Sequence, residues 1–287
     1  MHPKPKLVAE IGNVHLGSLD RAKSLIKLAK FCDADYVKTQ KRNPEESTPK
    51  KMQDQPHPNQ AHAYGKTYLE HRKALELSLS QHAELRDYCN DIGIKYASSV
   101  WDITSAREII TLKTDFIKIP SACNKHFELM KVLRDEYGGD VHISFGMVTR
   151  DERLDVIDFW RNYSSRVVFY HCTSEYPCPF EHLYLLELNE LSKALKPLGF
   201  RIGFSNHGYG IAADIAGMML GAEWIERHFV DDRTVKHSDA SASLEPDGLR
   251  KLSRDMQNIY KAMSYRPSDL NDLELEQKKK LRFDGSE

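Results

Sequence analysis

The chain is 287 residues long, 40% hydrophobic and 29% charged, with 41 basic against 42 acidic side chains and a formal net charge of −1. That length can bury one large core, and the balanced charge excludes the basic footprint of a nucleic-acid or anionic-membrane binder, so an anionic ligand has to be held by a local site. No run of about 18 uncharged apolar residues offers a membrane span, and MHPKPKLVAEIG lacks the apolar segment of a signal peptide, which places the expected location in the cytoplasm.

The elements read in chain order as short apolar runs alternating with longer segments of helical period. KLVAEIG (6–12) is the first strand, and SLDRAKSLIKLAKFC follows as a helix, with Leu19, Ala22, Leu25, Ile26 and Ala29 at helical spacing and Ser18 as its N-cap. ADYVKTQ (34–40) is the second strand. The connection from Lys41 to about Ser80 is unusually long: KRNPEESTPKKMQDQPHPNQ is polar and proline-bearing, and YGKTYLEHRKALELS adds an extra helix. Its GKT is no phosphate loop of the Walker type, because Gln60 stands where the first glycine belongs.

SQHAELRDYCNDIG is the next helix, followed by strands at IKYASSV (94–100) and DFIKIP (115–120), a helix at KHFELMKVLRDEYGG, and strands at VHISFG (141–146) and RVVFYHC (166–172). FEHLYLLELNELSKAL is helical, FRIGFS (200–205) and AEWIERHF (222–229) are the last strands, and SLEPDGLRKLSRDMQNIYKAMS is the closing helix. Eight strands alternating with helices at this length predict an α/β fold, a (β/α)8 TIM barrel with a long loop after strand 2. A loop after a barrel strand lies on the catalytic face, so this one is expected to cover substrate. The barrel is assigned to 1–265, and 266–287 to a charged, solvated C-terminal tail.

Polar side chains collect at the C-terminal ends of the strands: Glu10, Lys38, Ser98 with Ser99, Lys118 with Ser121, Ser144, His171 with Thr173 and Ser174, Ser205 with His207, and Glu226 with His228. A lysine inside an apolar strand needs a partner or a changed pKa. Three uses of Lys38 and Lys118 are open: ion pairs with Glu10 or Glu226, an anion site shared with Ser121, Ser144 and Ser205, or a Schiff base. His207 and His228 end consecutive strands, which suits a divalent metal. His171 is either a third site histidine or a structural residue. His57, His62, His71, His82, His126, His182 and His237 are assigned to the surface. The five cysteines are odd in number and lack CxxC spacing, which argues for a reducing compartment and gives Cys123 and Cys172 small buried roles near the rim.

At these residues the chain resembles the sialic acid synthase family, the phosphoenolpyruvate-dependent N-acetylneuraminate synthases and their legionaminate and pseudaminate relatives. The matching segments are AEIGNVHLGSLDRAKSLIKLAK, ADYVKTQ, LELSLSQHAELRDYCNDIGIKYASS, FIKIPSACN, ISFGM, HCTSEYPCPFEHLYL, GFSNHGYGIAADIAGMMLGAEWIERHF and DASASLEPDGL, in the family's order, to about residue 263. The resemblance implies a transferase of carbohydrate and polysaccharide biosynthesis. It condenses phosphoenolpyruvate with an aldose, N-acetylmannosamine or a related sugar, and releases phosphate to leave a 2-keto-3-deoxy acid. It implies a divalent metal on His207 and His228, Mn2+ with Mg2+ or Co2+ as substitutes. Phosphoenolpyruvate falls to Lys38, Ser99, Lys118, Ser121, Ser144, Ser174 and Ser205, and the sugar to Glu10, Tyr176, Asn206 and Asp239. Glu10, Lys38, Lys118 and Asp239 carry the catalytic roles.

The chain departs from the family pattern at several positions: Val14 and His15 in the first motif, Ala122 and Cys123 for Gly-Glu, Phe145 in SFGM, SSVW for STPF, and Asn206 before the metal histidine. The family's C-terminal antifreeze-like domain is expected to be absent from this chain, and only its natural absence would imply an acceptor without the usual N-acyl group. The resemblance further implies a homo-oligomer, or a separate chain supplying that domain. Two rival functions are a Schiff-base barrel aldolase and a non-catalytic metal- and sugar-binding barrel.

Overall fold

The computed structural model describes residues 4–283 and 285. Eight parallel strands, β1 (Lys6–Gly12), β2 (Tyr36–Lys41), β3 (Lys95–Val100), β4 (Phe116–Ile119), β5 (Asp140–Ser144), β6 (Val167–Cys172), β7 (Arg201–Asn206) and β8 (Trp224–His228), close into a barrel in sequence order, with β8 pairing back onto β1. Each predicted strand is present. Each is buried on both faces, so it reads as an almost continuous apolar run, the pattern of a parallel sheet clothed in helices.

Strand parity divides the core in two. Leu7, Ala9, Ile11, Val37, Ile117, Ile143 and Phe169 point outward against the helices. Val8, Tyr36, Ala97, Phe116, Val168, Tyr170 and Trp224 point inward and form the barrel floor. Two residues further along, the same inward parity delivers Glu10, Lys38, Ser99, Lys118, Ser144, Cys172, Ser205 and Glu226 above that floor. Register brings them side by side: Glu10 pairs with Lys38 and with His228, Ser99 with Lys118, and Ser205 with both Cys172 and Glu226.

The helix Leu19–Phe31 begins where expected, with Ser18 Oγ accepting the Arg21 N–H at 3.2 Å. The long connection after β2 is ordered into short helices at Pro44–Ser47, Lys50–Gln53 and Tyr68–Ala74, the last closed by a capping box between Thr67 and Glu70. It is tied across the barrel mouth to the segment after β8: Tyr64 Oη donates to the Lys236 carbonyl at 2.6 Å, and Lys236 Nζ donates to that of Ala63 at 2.6 Å. The tail carries an exposed helix at Asp272–Leu281. All five cysteines are free thiols, and among the described residues no helix is long and apolar enough to cross a membrane.

Buried imidazoles make the fold acid-sensitive. His82 Nδ1 lies 2.7 Å from Tyr96 Oη, and His142 Nδ1 lies 2.9 Å from Tyr170 Oη with its ring stacked on Phe116. Burial holds His82 down to about 3 and His15 down to about 4, and keeps His142 well below its ordinary value. Unfolding frees each to take a proton near pH 6.5, so the stabilisation is complete above that pH and is lost as pH falls toward the folded value. Glu10 and Glu76, whose carboxyls burial raises, act in the opposite sense but are outnumbered. The unfolding free energy from urea titration is expected to fall between pH 7 and pH 5, by about 2 kcal/mol per buried histidine. A midpoint that is flat over that range would contradict this protonation balance.

Candidate active site

The inward residues and the loops above them enclose a cavity of about 310 Å³ at the C-terminal mouth of the barrel. Glu10, Lys38, Ser99, Lys118, Ser121, Ser144, Ser174, Tyr176, Ser205, His207, His228 and Asp239 all line it, together with Glu226.

At its base lies a four-charge cluster sealed from solvent. Lys38 Nζ is ion-paired with Glu10, donates to Ser99 Oγ at 2.7 Å and lies 3.8 Å from Glu226 Oε2. Lys118 Nζ donates to Glu226 Oε1 at 2.6 Å and sits 4.4 Å over the Tyr170 ring, while Ser205 Oγ donates to the same carboxylate oxygen at 3.2 Å. Burial raises Glu10 above the usual carboxylate range, despite Lys38 beside it. Burial would also raise Glu226, but two ammonium groups outweigh it and hold that carboxyl low. Lys118 is lowered by burial, with Glu226 opposing. Of the four groups, Glu10 is the one poised to take up a proton.

Beside the cluster is a hydroxyl cradle that depends on Gly146. Its N–H donates to Ser121 Oγ at 3.2 Å, and Asn124 Nδ2 pins the turn through the carbonyls of Ser144 (2.9 Å) and Gly146 (2.8 Å). A Cβ on Gly146 would meet Ser174 Oγ at 2.3 Å and Ser121 Oγ at 2.6 Å. Ser174 Oγ is buried without a partner. An unspent buried hydroxyl beside an open space is a donor that an oxyanion can use.

His207 and His228 face each other with ring centroids 5.3 Å apart, and Tyr176 packs 4.1 Å from His207. His207 Nδ1 donates to the Thr173 carbonyl at 2.8 Å, which fixes the tautomer and leaves Nε2 as the free lone pair. Burial, with His228 nearby, holds His207 down to about 3; burial holds His228 down to about 4 although Asp239 opposes it. Both imidazoles are therefore neutral donors at physiological pH. Asp239 Oδ2 lies 3.9 Å from His228 Nδ1. Among the described residues no three His, Cys, Asp or Glu side chains gather round one point. The free Nε2 of His207 and the facing ring of His228 make a set of two neutral imidazoles open to the cavity.

The structure corrects several readings. Asn206, expected at the sugar, faces away: strand parity turns Ser205 inward and Asn206 outward, where its Nδ2 donates to Asp214 at 2.9 Å and its Oδ1 accepts the Gly208 N–H at 2.8 Å. Phe145 likewise points into the outer core, stacked 4.6 Å from Phe169, and Cys123 is buried with its Sγ toward the Trp101 carbonyl. Of the departures from the family pattern, Ser99, Trp101 and Ala122 are the ones that line the cavity. His171 Nε2 donates to the Leu183 carbonyl at 2.8 Å, a structural role.

Four histidines assigned to the surface, His57, His62, His71 and His237, line the outer cavity with Asn13, Gln40, Arg42 and Arg72, and His82 is a core residue. His237 Nε2 lies 2.8 Å from Asn13 Oδ1, and its Nδ1 accepts the Asp239 N–H at 3.1 Å, which orients that carboxylate. The available signal was positional: His57, His62 and His71 belong to the long connection expected to cover substrate.

The NeuB family matches residues 25–267. Human N-acetylneuraminate-9-phosphate synthase is 35% identical over 257 residues, 90% of this chain and 70% of that protein. The N,N'-diacetyllegionaminic acid synthase of Campylobacter jejuni is 31% identical over 263 residues, 91% of this chain and 78% of that one. Among solved structures, the N-acetylneuraminic acid synthetase of Leptospira borgpetersenii in complex with citrate superposes with a TM-score of 0.80 at 24% identity, over 97% of this chain and 92% of that one. That structural likeness bears on the barrel itself.

Proposed function

The chain belongs to the NeuB family of sialic acid-type synthases, and from that premise we propose how its cavity joins phosphoenolpyruvate to an aldose. The reaction forms a carbon–carbon bond between C3 of phosphoenolpyruvate and C1 of the aldose, adds water at C2 and releases inorganic phosphate, leaving a 2-keto-3-deoxy sugar acid. The observation that carries the assignment of residues is the meeting, in one cavity, of two buried lysines, a serine cradle opened by Gly146 and two neutral histidines.

Lys38 and Lys118 with Ser99, Ser144 and Ser205 take one anionic end of phosphoenolpyruvate, and Ser121 and Ser174 the other. The cluster can receive those charges because Glu10, its raised carboxyl, protonates most readily, which leaves the two ammonium groups in excess. Glu10, Tyr176 and Asp239 face the sugar, and Glu10 and Asp239 are placed to hold or move its protons. Asn206 supports the site from behind through Asp214. His207 and His228 would hold Mn2+, or Mg2+ or Co2+, and a bound ion supplies Lewis-acid polarisation of the aldehyde oxygen. Replacing Gly146 by alanine is expected to raise the KM for phosphoenolpyruvate about tenfold or more, because the new methyl drives both serine hydroxyls from the cradle. An unchanged KM in a folded variant would remove the cradle from the phosphoenolpyruvate site.

One observation favours the Schiff-base reading, the lowered Lys118; the ion pair with Glu226 speaks against it. Chelation and borohydride separate the two. Activity lost on metal removal and restored by Mn2+, with no trapped pyruvate adduct, fits the synthase; metal-free activity with a trapped lysine overturns it. The free thiols support a cytoplasmic, reducing location. Assembly as a homo-oligomer, or with a separate chain bearing the antifreeze-like domain, belongs to the same proposal. Exposed Phe180, Tyr184 and Leu186, on the segment that follows β6, support it.

A further inference from the structure

We propose that Asn206, Asp214 and Arg227, a buried trio behind β7 and β8, are positioning residues that fix the spacing and orientation of His207 and His228. The proposal rests on the reading of those two histidines as the protein's ligands to a divalent ion.

Asn206 ends β7 and is followed by His207; Arg227 is followed by His228, which ends β8. The two residues are register partners. Alternation turns both side chains outward, behind the sheet, while the histidines that follow them line the cavity. There both meet Asp214, in the first turn of the helix Ala212–Met219. Asn206 Nδ2 donates to Asp214 Oδ1 at 2.9 Å, and Arg227 Nη1 donates to Asp214 Oδ2 at 2.8 Å. One carboxylate therefore joins the two strand ends that carry the histidines. All three residues are at most 1% exposed.

The remaining bonds of the trio end on the loop that begins with His207. Asn206 Oδ1 accepts the Gly208 N–H at 2.8 Å, Arg227 Nη2 donates to the Gly208 carbonyl at 2.8 Å, and Nη1 also donates to the Gly210 carbonyl at 2.9 Å. Arg227 Nε is buried without a partner, so the hydrogen bonds of the guanidinium all go to Asp214 and to this loop. Tyr209 and Gly210 are exposed on top, so the loop is held from beneath. A buried ion pair adds little stability over an apolar pair of the same volume, and stability alone does not account for the trio. A planar guanidinium forked over two carbonyls does fix a backbone, and His207 hangs from that backbone. Groups that orient metal ligands from outside change metal affinity about 10–100-fold when removed.

The test is a Mn2+ titration of the full chain, followed by the electron paramagnetic resonance of the free ion, with thermal unfolding and steady-state kinetics on the same variants. Asp214→Asn is expected to weaken Mn2+ about tenfold or more and to lower kcat, while the KM for phosphoenolpyruvate changes less than about twofold. Asn206→Asp combined with Asp214→Asn exchanges the two side chains, keeps one carboxylate in the trio and reverses the sense of the bond between them. Its Mn2+ affinity is expected to return to within about threefold of the parent. Arg227→Lys keeps the charge and loses the fork, so it should weaken Mn2+ as well. Asn206→Ala leaves the ion pair intact and carries the test if Asp214→Asn fails to fold; freeing the Gly208 N–H is expected to weaken Mn2+ about threefold or more. Unchanged Mn2+ affinity in a folded Asp214→Asn or Asn206→Ala chain overturns the proposal, even where the melting temperature falls, because the trio is then a structural ion pair alone. A parent chain that binds no Mn2+ overturns the metal reading of His207 and His228 itself, whereas parent binding that the variants match overturns only the positioning role.

Discussion

Replacing His207 by alanine is expected to lower kcat about a thousandfold while leaving the barrel folded. The imidazole is held through Nδ1, which donates to the Thr173 carbonyl, and its Nε2 is left free on the side of the cavity it shares with His228. A Lewis acid at an aldehyde oxygen contributes several kcal/mol of transition-state stabilisation, which converts to a rate factor of about that size. The variant should also lose the Mn2+ electron paramagnetic resonance signal of a bound ion, a readout independent of turnover. Retention of both activity and metal would show that the two histidines serve only the loop geometry. His228→Ala should behave alike, with an added change in the orientation of Asp239.

Replacing Lys118 by methionine is expected to abolish turnover and to destabilise the fold by about 3–5 kcal/mol, the cost of leaving one member of a buried ion pair without its partner. Lys118 is 3% exposed and its Nζ is 2.6 Å from Glu226 Oε1. The two effects separate in a double variant. Lys118→Met with Glu226→Gln removes the uncompensated charge, so most of the stability should return; activity should not, because the ammonium proposed to meet phosphoenolpyruvate is still missing. A double variant as active as the parent would make the pair purely structural, and stability losses that simply add would remove the coupling between the two side chains.

The sequence carried the barrel because a parallel strand buried on both faces is an uninterrupted apolar run, and eight such runs with helical segments between them leave few topologies. It carried the inner site for a related reason: Lys38 and Lys118 contradict their apolar surroundings, and the contradiction is visible without coordinates. The outer site was hidden. Arg42 and His57 lie on the polar, proline-bearing part of the long connection and His71 and Arg72 on its extra helix, and neither pattern shows that they turn toward the strands; the bond from Tyr64 to the Lys236 carbonyl ties this connection across the barrel mouth. Asn206 was misplaced because position beside the cavity histidine His207 suggests the cavity, whereas alternation along β7 sends it to Asp214. Strand parity decides that case and was available from the letters. His82 and His237 differ again, since burial of a polar ring on a helix or loop depends on partners, Tyr96 and Asn13, that are distant in sequence.

The most direct measurement follows inorganic phosphate and 2-keto acid together when the purified, Mn2+-loaded chain meets phosphoenolpyruvate and a panel of neutral and anionic aldoses. The expected result is aldose-dependent consumption of phosphoenolpyruvate, with phosphate and keto acid appearing in equal amounts and none formed after chelation. A folded, metal-loaded chain that consumes no phosphoenolpyruvate with any aldose, or one that makes keto acid from pyruvate without metal, would contradict the synthase.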